Sequence, residues 1–277
     1  MLTLITAFEL ALPVTYAVTF GLYLKHFFRG PGRATTPIRA SYVLYATLIV
    51  HVAYEVARGL HIEHIPVSSS AEFLSLVALC IGLVYAIVEW RHDDPNTGPF
   101  FMALAVATQT WSSLIMAPST PPDLLLDHPT YGIHVLFTVF GFTALAVSAI
   151  YALMYILLSR QLKSRQLGTI FQRLPSLNVL EKMGKLSTLF GVLFLGVGLL
   201  TGHLLAIYVP GIELNLLDPK IAVTYLAWLA YVIGLVATWL RGLSGLRMAY
   251  LGLTGYTALI ASMVVINSFL SSFHSFQ

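Results

Sequence analysis

Long, uninterrupted apolar runs constrain this chain more than any other feature of its sequence. Each run has roughly the 20 apolar residues that an α-helix needs to cross about 30 Å of hydrocarbon. Charged residues make up only 10% of the 277 residues, whereas soluble domains carry about 25%. The runs are too long, and too rich in Leu, Phe and Gly, for alternating barrel strands. The sequence therefore predicts an all-α, polytopic membrane protein, because helices satisfy their own backbone groups in lipid.

Eight such runs divide the chain into predicted transmembrane helices. They are Leu4–Phe28, Ile38–Leu60, Ala71–Trp90, Pro99–Ala117, Thr130–Ser159, Lys185–Val209, Ile221–Leu240 and Leu246–Leu270. We predict that residues 1–277 form a single eight-helix transmembrane domain. The one longer connection, residues 160–184, has Leu177, Leu180 and Met183 at helical spacing. This spacing predicts an amphipathic segment on the cytoplasmic membrane surface.

Basic residues are divided unevenly between the connections. All but two of the 15 Lys and Arg residues lie in or next to the connections that follow the first, third, fifth and seventh spans, the exceptions being Arg58 and Lys220. Since cytoplasmic loops carry the excess of basic residues, both termini are predicted on the outer (periplasmic) face. Histidine shows the opposite bias, because only His26 and His92 of the nine lie on the cytoplasmic side. Topology does not require that bias, so the outer histidines are candidate binding residues.

Two of the outer histidines lie at the ends of predicted spans. His134 opens the fifth apolar run, and His274 follows the eighth run in an aromatic, polar tail. We expect both at similar depth, where two neutral imidazoles from separate helices can serve as axial ligands of heme iron. Phe269, Phe273 and Phe276 could pack against a porphyrin face, although an interfacial aromatic belt explains them equally.

Two further histidines lie within predicted spans. His51 shares a helix face with Glu55 and Arg58. His203 follows Gly198-Leu-Leu-Thr-Gly202, where small residues allow another helix to approach closely. Each histidine can be interpreted as a heme ligand or as a hydrogen-bonding group inside the bundle, and both interpretations stay open. A heme shared by His51 and His203 would form a second site and make the chain a cytochrome b-like electron-transfer subunit.

Two other functions are less favoured by the residues. The single cysteine, Cys80, lies in an apolar run, so we expect neither thiol redox chemistry nor covalent attachment of heme to this chain. Zinc or proton transport is a weaker hypothesis, because Glu55 is almost alone among mid-membrane acids.

Met1 begins an apolar run without a basic region before it, which predicts a retained first helix rather than a signal peptide.

An ordered set of short motifs extends through most of the chain. They are Glu72-Phe-Leu-Ser-Leu, Ile133-His-Val, Phe171-Gln-Arg-Leu-Pro-Ser-Leu, Gly202, Asp218-Pro-Lys220, Trp228, Arg241-Gly, Gly255-Tyr and the closing Asn267-Ser-Phe-Leu-Ser-Ser-Phe-His-Ser-Phe. With these motifs the chain resembles the CcsA/CcmC-type cytochrome c assembly family, and within it the HemX-like branch.

The resemblance implies a heme-handling protein of the bacterial inner (plasma) membrane. His134 and His274 match the outer histidines that hold heme in CcsA-like proteins, which implies a non-covalent, b-type heme presented for c-type cytochrome assembly. The implied partners are other membrane cytochrome c assembly proteins or an enzyme of heme synthesis, with no nucleic acid. We assign no catalytic residue, and a heme-lyase component remains an alternative to binding or regulation.

This chain also departs from CcsA-like members of the family. Those members carry a Trp-rich outer loop before the Asp-Pro-Lys element and a histidine late in the seventh helix. Here residues 208–218 contain no tryptophan, and residues 231–238 contain no histidine. The departures favour a HemX-like role in heme trafficking or in the control of tetrapyrrole synthesis.

Overall fold

The computed structural model describes residues 2–29, 37–92, 94–116, 129–165, 168–208, 219–242 and 244–269. The helices are α1 (Leu2–Phe28), α2 (Pro37–Ile62), α3 (Ser70–His92), α4 (Gly98–Ile115), α5 (Pro129–Lys163), α6 (Thr169–Arg173), α7 (Leu177–Tyr208), α8 (Pro219–Arg241) and α9 (Leu246–Phe269). A 3-10 turn at Pro95–Thr97 joins α3 to α4. No β-strand occurs within these ranges, so the prediction of an all-α protein is confirmed.

Each predicted span coincides with a long helix. Among the described residues, six helices are long and apolar enough to cross a membrane, namely α1, α2, α3, α5, α7 and α8. The chain is therefore a multi-pass membrane protein. Helices α4 and α9 are not among the six, so the count of eight spans and the outward orientation of both termini stay predictions.

The start of α7 differs from the predicted boundary. The helix begins at Leu177, about two turns before the predicted start at Lys185. The sequence between these residues contains no proline, so the backbone hydrogen bonds can run on without interruption. Leu180 is buried and Lys182 is exposed, as the amphipathic spacing predicts. The position of this segment on the membrane surface stays a prediction.

The chain packs as two compact units. The N-terminal unit comprises Met1–His128 with Arg165–Leu174, and the C-terminal unit comprises Pro129–Ser164 with Pro175–Gln277. In the N-terminal unit α1 packs against α2 and α4, and α3 packs against α4. In the C-terminal unit α5 packs against α7 and α9, and α8 packs against both α7 and α9. The single domain predicted for residues 1–277 stays a prediction.

The N-terminal unit buries several polar side chains, while apolar side chains such as Leu10 and Val14 on α1 are exposed. Tyr16, Thr19 and Tyr23 lie on one face of α1 and are fully buried. Thr19 shares a 3.0 Å hydrogen bond with Thr47 on α2. The hydroxyl of Tyr23 donates to the carboxylate of Glu89 at 2.5 Å. Polar groups in contact with lipid are costly, so polar side chains buried between helices suit a bundle that is surrounded by lipid.

Glycines bring α5 and α7 together in the C-terminal unit. A Cβ atom at Gly141 would lie 2.7 Å from the backbone nitrogen of Leu195. A Cβ atom at Gly191 would lie 2.5 Å from the side chain of Leu145. Only residues without a Cβ atom allow the two helices to approach this closely. Such close packing contributes to the association of membrane helices.

The Gly141 contact leads to a prediction about stability. Gly141→Ala should lower the free energy of unfolding by about 1–3 kcal/mol, because the added methyl group meets the backbone of α7, which cannot rotate away. Gly21→Ala is the matched control, since nothing lies within 4 Å of a Cβ atom there. Thermal unfolding in detergent measures both variants, and equal unfolding temperatures would contradict the prediction.

Candidate functional site

His134 lies near the start of α5 and is half-buried. Its Nδ1 atom is 2.7 Å from the backbone carbonyl oxygen of Gly198 on α7. A carbonyl oxygen only accepts hydrogen bonds, so Nδ1 carries the proton and donates it. In the neutral imidazole this leaves the lone pair on Nε2, which is the atom a metal can bind. A histidine that binds a metal through one ring nitrogen typically donates a hydrogen bond from its other ring nitrogen, often to a backbone carbonyl oxygen.

The imidazole of His134 packs against α7 at Gly202. A Cβ atom at Gly202 would lie 3.0 Å from both Cε1 and Nδ1 of His134. A Cβ atom at Gly198 would lie 2.7 Å from the hydroxyl of Thr138, one turn further along α5. The close helix approach predicted from Gly198 and Gly202 is therefore confirmed. The sequence did not indicate which helix approaches there, and it is the helix that carries His134.

His203 links α7 to α8 in the C-terminal unit. Its Nδ1 atom is 2.6 Å from the hydroxyl of Tyr225 and 3.1 Å from the backbone carbonyl oxygen of Leu199. The rings of His203 and Tyr225 meet edge to face, with centroids 5.6 Å apart. This arrangement suits a hydrogen-bonding group between helices, and the ligand role of His203 stays a prediction. No sequence motif marks Tyr225, because its role depends on how α8 is rotated.

The Tyr225 contact can be tested separately from ligand binding. Tyr225→Phe removes the hydroxyl and should lower the free energy of unfolding by about 0.6 kcal/mol, the average value of a hydrogen bond between membrane helices. Thermal unfolding in detergent gives the change. Tyr250→Phe on α9 is the control, because this tyrosine is exposed and its loss should cost less. A larger loss for Tyr250→Phe would contradict the assignment.

His51 is fully buried in the N-terminal unit. Its Nδ1 atom is 2.8 Å from the hydroxyl of Tyr16, and its Nε2 atom is 2.9 Å from Oγ of Ser75 and 3.3 Å from Oε1 of Glu55. Both ring nitrogens are thus hydrogen bonded, which suits a polar group inside the bundle. Because His203 belongs to the other unit, the shared heme site and the cytochrome b-like hypothesis stay predictions.

Arg58 joins three helices of the N-terminal unit through carboxylates. Its Nε atom donates to Glu72 at 2.8 Å, and one of its terminal nitrogens donates to Glu9 at 2.9 Å. The Glu72 carboxylate also accepts hydrogen bonds from the backbone nitrogens of Ser68 and Ser69, while the backbone N–H of Glu72 donates to Oγ of Ser69. This reciprocal pair is a capping box at the start of α3, and the Ser-x-x-Glu spacing marks it in the sequence.

The other predicted ligand cannot be placed in the same way. His274 lies outside the described residues, together with Phe273, Phe276 and His128. Residues 209–218, where the family has its Trp-rich loop, lie outside them as well. His134 is therefore the predicted outer-face ligand whose surroundings the structure describes.

Comparison with known proteins gives a family match over most of the chain. The family model described as cytochrome C assembly protein matches residues 67–274, which include α3 through α9 and His134. Helices α1 and α2 precede the matched residues. The search of curated proteins finds no match. The chain therefore belongs to the cytochrome c assembly protein family, a heme-related family of membrane proteins, and has a role in c-type cytochrome biogenesis.

Proposed function

We propose that this protein binds heme non-covalently at the outer face of the bacterial inner membrane and presents it for c-type cytochrome assembly. His134 is one axial ligand, and His274 is the other. Heme is the cargo in this proposal, and the protein's task is to hold it in place until an assembly partner receives it. Family membership and the outward bias of the histidines support this function.

The hydrogen bond from His134 to the Gly198 carbonyl carries the proposal. It keeps the proton on Nδ1 and orients the ring, so that the lone pair of Nε2 stays available for iron. The Gly202 surface supports the ring from one side, where any larger residue would displace it. Because His134 is half-buried, its ring has less conformational freedom to lose when it binds heme.

Purification from heme-replete membranes tests the proposed function. The protein should show a Soret absorption band, and the pyridine hemochrome spectrum should identify a non-covalent b-type heme that leaves with acidified acetone. A folded protein that carries no heme, and takes up none when hemin is added, would contradict the proposal. The oxidised spectrum should be that of six-coordinate iron, as two imidazole ligands require.

A second candidate function is a HemX-like regulator that acts on an enzyme of heme synthesis. The absence of tryptophan from residues 208–218 and of histidine from residues 231–238 favours this function. The basic connection at residues 160–184 would be its contact surface on the cytoplasmic side. Deleting the gene should then change early tetrapyrrole levels. Loss of c-type cytochromes with normal tetrapyrrole levels would contradict the regulator and support the assembly factor.

A further inference from the structure

We propose that the turn between α8 and α9 binds the phosphate group of an anionic phospholipid through Arg241 and Arg247. Both arginines line a groove of about 520 Å³ in the C-terminal unit. Ser244 lines the same groove and offers a hydroxyl group as a further hydrogen-bond donor. The inference rests on the charges of this unit, on the depth of the groove in the membrane and on the exposed surface of α8.

Charge complementarity favours a negatively charged ligand in this groove. Among the described residues of the C-terminal unit, the one acidic side chain is Glu181, which already pairs with Lys185 at 2.6 Å. The sequence contains no aspartate or glutamate from residue 219 to residue 277. Within the part of the chain that the structure describes, neither Arg241 nor Arg247 pairs with a carboxylate. Their positive charges are therefore available to an anion from outside the protein.

The depth of the groove favours a lipid over a dissolved anion. The apolar stretch of α8 that can cross the membrane, Ile221–Arg241, ends at the first of the two arginines. Trp239, two residues earlier, is 80% exposed, and exposed tryptophans near the ends of spans lie at the level of the lipid headgroups. The guanidinium groups are thus at the depth of the lipid phosphates, which arginine binds through two parallel hydrogen bonds.

An exposed apolar stripe on α8 provides a surface for the acyl chains. Its members recur three or four residues apart, and they are Leu226, Leu229, Ile233, Val236 and Leu240. The protein buries 11% of the most apolar part of α8, so lipid chains are the main neighbours of this helix. One leaflet of the hydrocarbon core is about 15 Å thick, which equals about ten residues of helix. A lipid with its phosphate at Arg241 would therefore extend its chains along Ile233, Val236 and Leu240.

Packing against α5 holds the backbone that carries the two arginines. Leu246, which lies between them, packs against a cluster of buried apolar residues from α5 and α9. A Cβ atom at Gly245 would lie 2.9 Å from the hydroxyl of Tyr155 on α5. Because this part of the backbone is ordered before a lipid arrives, binding costs little conformational entropy. Tyr155 lies about 30 Å along α5 from His134, so the inference is independent of heme binding.

Lipid binding by the purified full-length protein tests the proposal. After delipidation in detergent, the protein is titrated with phosphatidylglycerol, and native mass spectrometry counts the lipids that it retains. Phosphatidylglycerol should bind more tightly than phosphatidylcholine with the same acyl chains, because the choline group cancels the negative charge of the phosphate. Arg241→Gln and Arg247→Gln should each lower the affinity for phosphatidylglycerol about fivefold, the effect of one arginine near an anionic membrane surface.

Arg91→Gln is the matched control. Arg91 follows the exposed Trp90 at the end of α3, but Asp93 and Asp94 come after it in the sequence instead of a second arginine. This variant should keep the affinity of the wild type. Equal affinities for the two lipids, or an equal loss in Arg91→Gln, would overturn the proposal. Inorganic phosphate should not displace the lipid at equal concentration, and full displacement would overturn the assignment to a lipid in favour of a free anion.

A second measurement uses the wild-type protein alone, so the proposal stays testable if the arginine variants do not fold. The protein is reconstituted in vesicles that contain phosphatidylglycerol with a photoreactive acyl chain, and mass spectrometry locates the adducts. An excess of unlabelled phosphatidylglycerol should suppress the adducts at residues 233–240 of α8, whereas an equal excess of phosphatidylcholine should not. Suppression by both lipids to the same extent would contradict the site. Either result leaves heme binding by His134 unaffected, so the two proposals fail separately.

Discussion

Replacing His134 by glycine should remove most of the heme from the purified protein. Loss of a group that only orients a metal ligand costs about 10–100-fold in affinity, so loss of the ligand itself should cost at least as much. Adding imidazole to His134→Gly should restore part of the Soret band, because the small ligand can occupy the space above Gly202. Absorption spectroscopy and pyridine hemochrome analysis measure heme retained per protein.

The control variants separate the outer-face site from the predicted second site. His203→Ala and His51→Ala should retain heme if iron is bound at the outer face, since both imidazoles are hydrogen bonded within their own units. His274→Ala should resemble His134→Gly. Heme loss in His51→Ala and His203→Ala, with retention in His134→Gly, would contradict the proposed site. That result would support the cytochrome b-like hypothesis.

Gly202→Val should weaken heme binding without removing a ligand. A Cβ atom at this position lies 3.0 Å from the His134 ring, so the side chain must tilt the ring and lengthen its bond to the Gly198 carbonyl. The expected loss is about 10–100-fold, the range for groups that orient a ligand. The ratio of heme off-rates in wild type and variant gives the size of the effect. An unchanged off-rate would show that this surface does not hold the ring.

Replacing Arg58 by leucine should produce the largest loss of stability in the chain. The variant leaves Glu72, whose side chain is 2% exposed, without its cation, and it also removes the partner of Glu9. Removing one partner of a buried ion pair costs about 3–5 kcal/mol, because the remaining charge stays buried without compensation. We expect low yields from membranes and a lower unfolding temperature in detergent.

A half-buried ion pair on α7 supplies the matched control for Arg58. Lys185 and Glu181 lie one turn apart on α7 with a 2.6 Å contact, and their side chains are 32% and 23% exposed. Lys185→Leu should cost at most about 1 kcal/mol, because solvent screens such pairs. Adding Glu72→Gln to Arg58→Leu should recover part of the loss, since the uncompensated charge disappears. Equal losses for Arg58→Leu and Lys185→Leu would contradict the role assigned to Arg58.

Local sequence patterns were sufficient to predict where the long helices lie and which family the chain resembles. A helix depends on hydrogen bonds four residues apart, so an apolar run of adequate length predicts one wherever it lies. The same locality explains why the shared face of His51 and Glu55 was predicted from spacing alone. The Ser-x-x-Glu spacing of Ser69 and Glu72 could have indicated the capping box in the same way, although it was not predicted. The predicted start of α7 was too late in the sequence, because the apolar run marks only the membrane-spanning part of the helix. The helix itself begins at Leu177.

Partners on different helices were decided only by the tertiary structure. The sequence indicated that some helix approaches Gly198 and Gly202, yet only packing shows that this helix brings His134 to the Gly198 carbonyl. Tyr16 and Tyr225 carry no motif, and their bonds to His51 and His203 depend on how α1 and α8 are rotated about their axes. Sequence patterns alone were thus enough to predict the membrane-spanning class, the candidate histidines and the family. The tertiary structure decided what each histidine contacts, because rotation between helices is set by packing over many residues and not by local spacing.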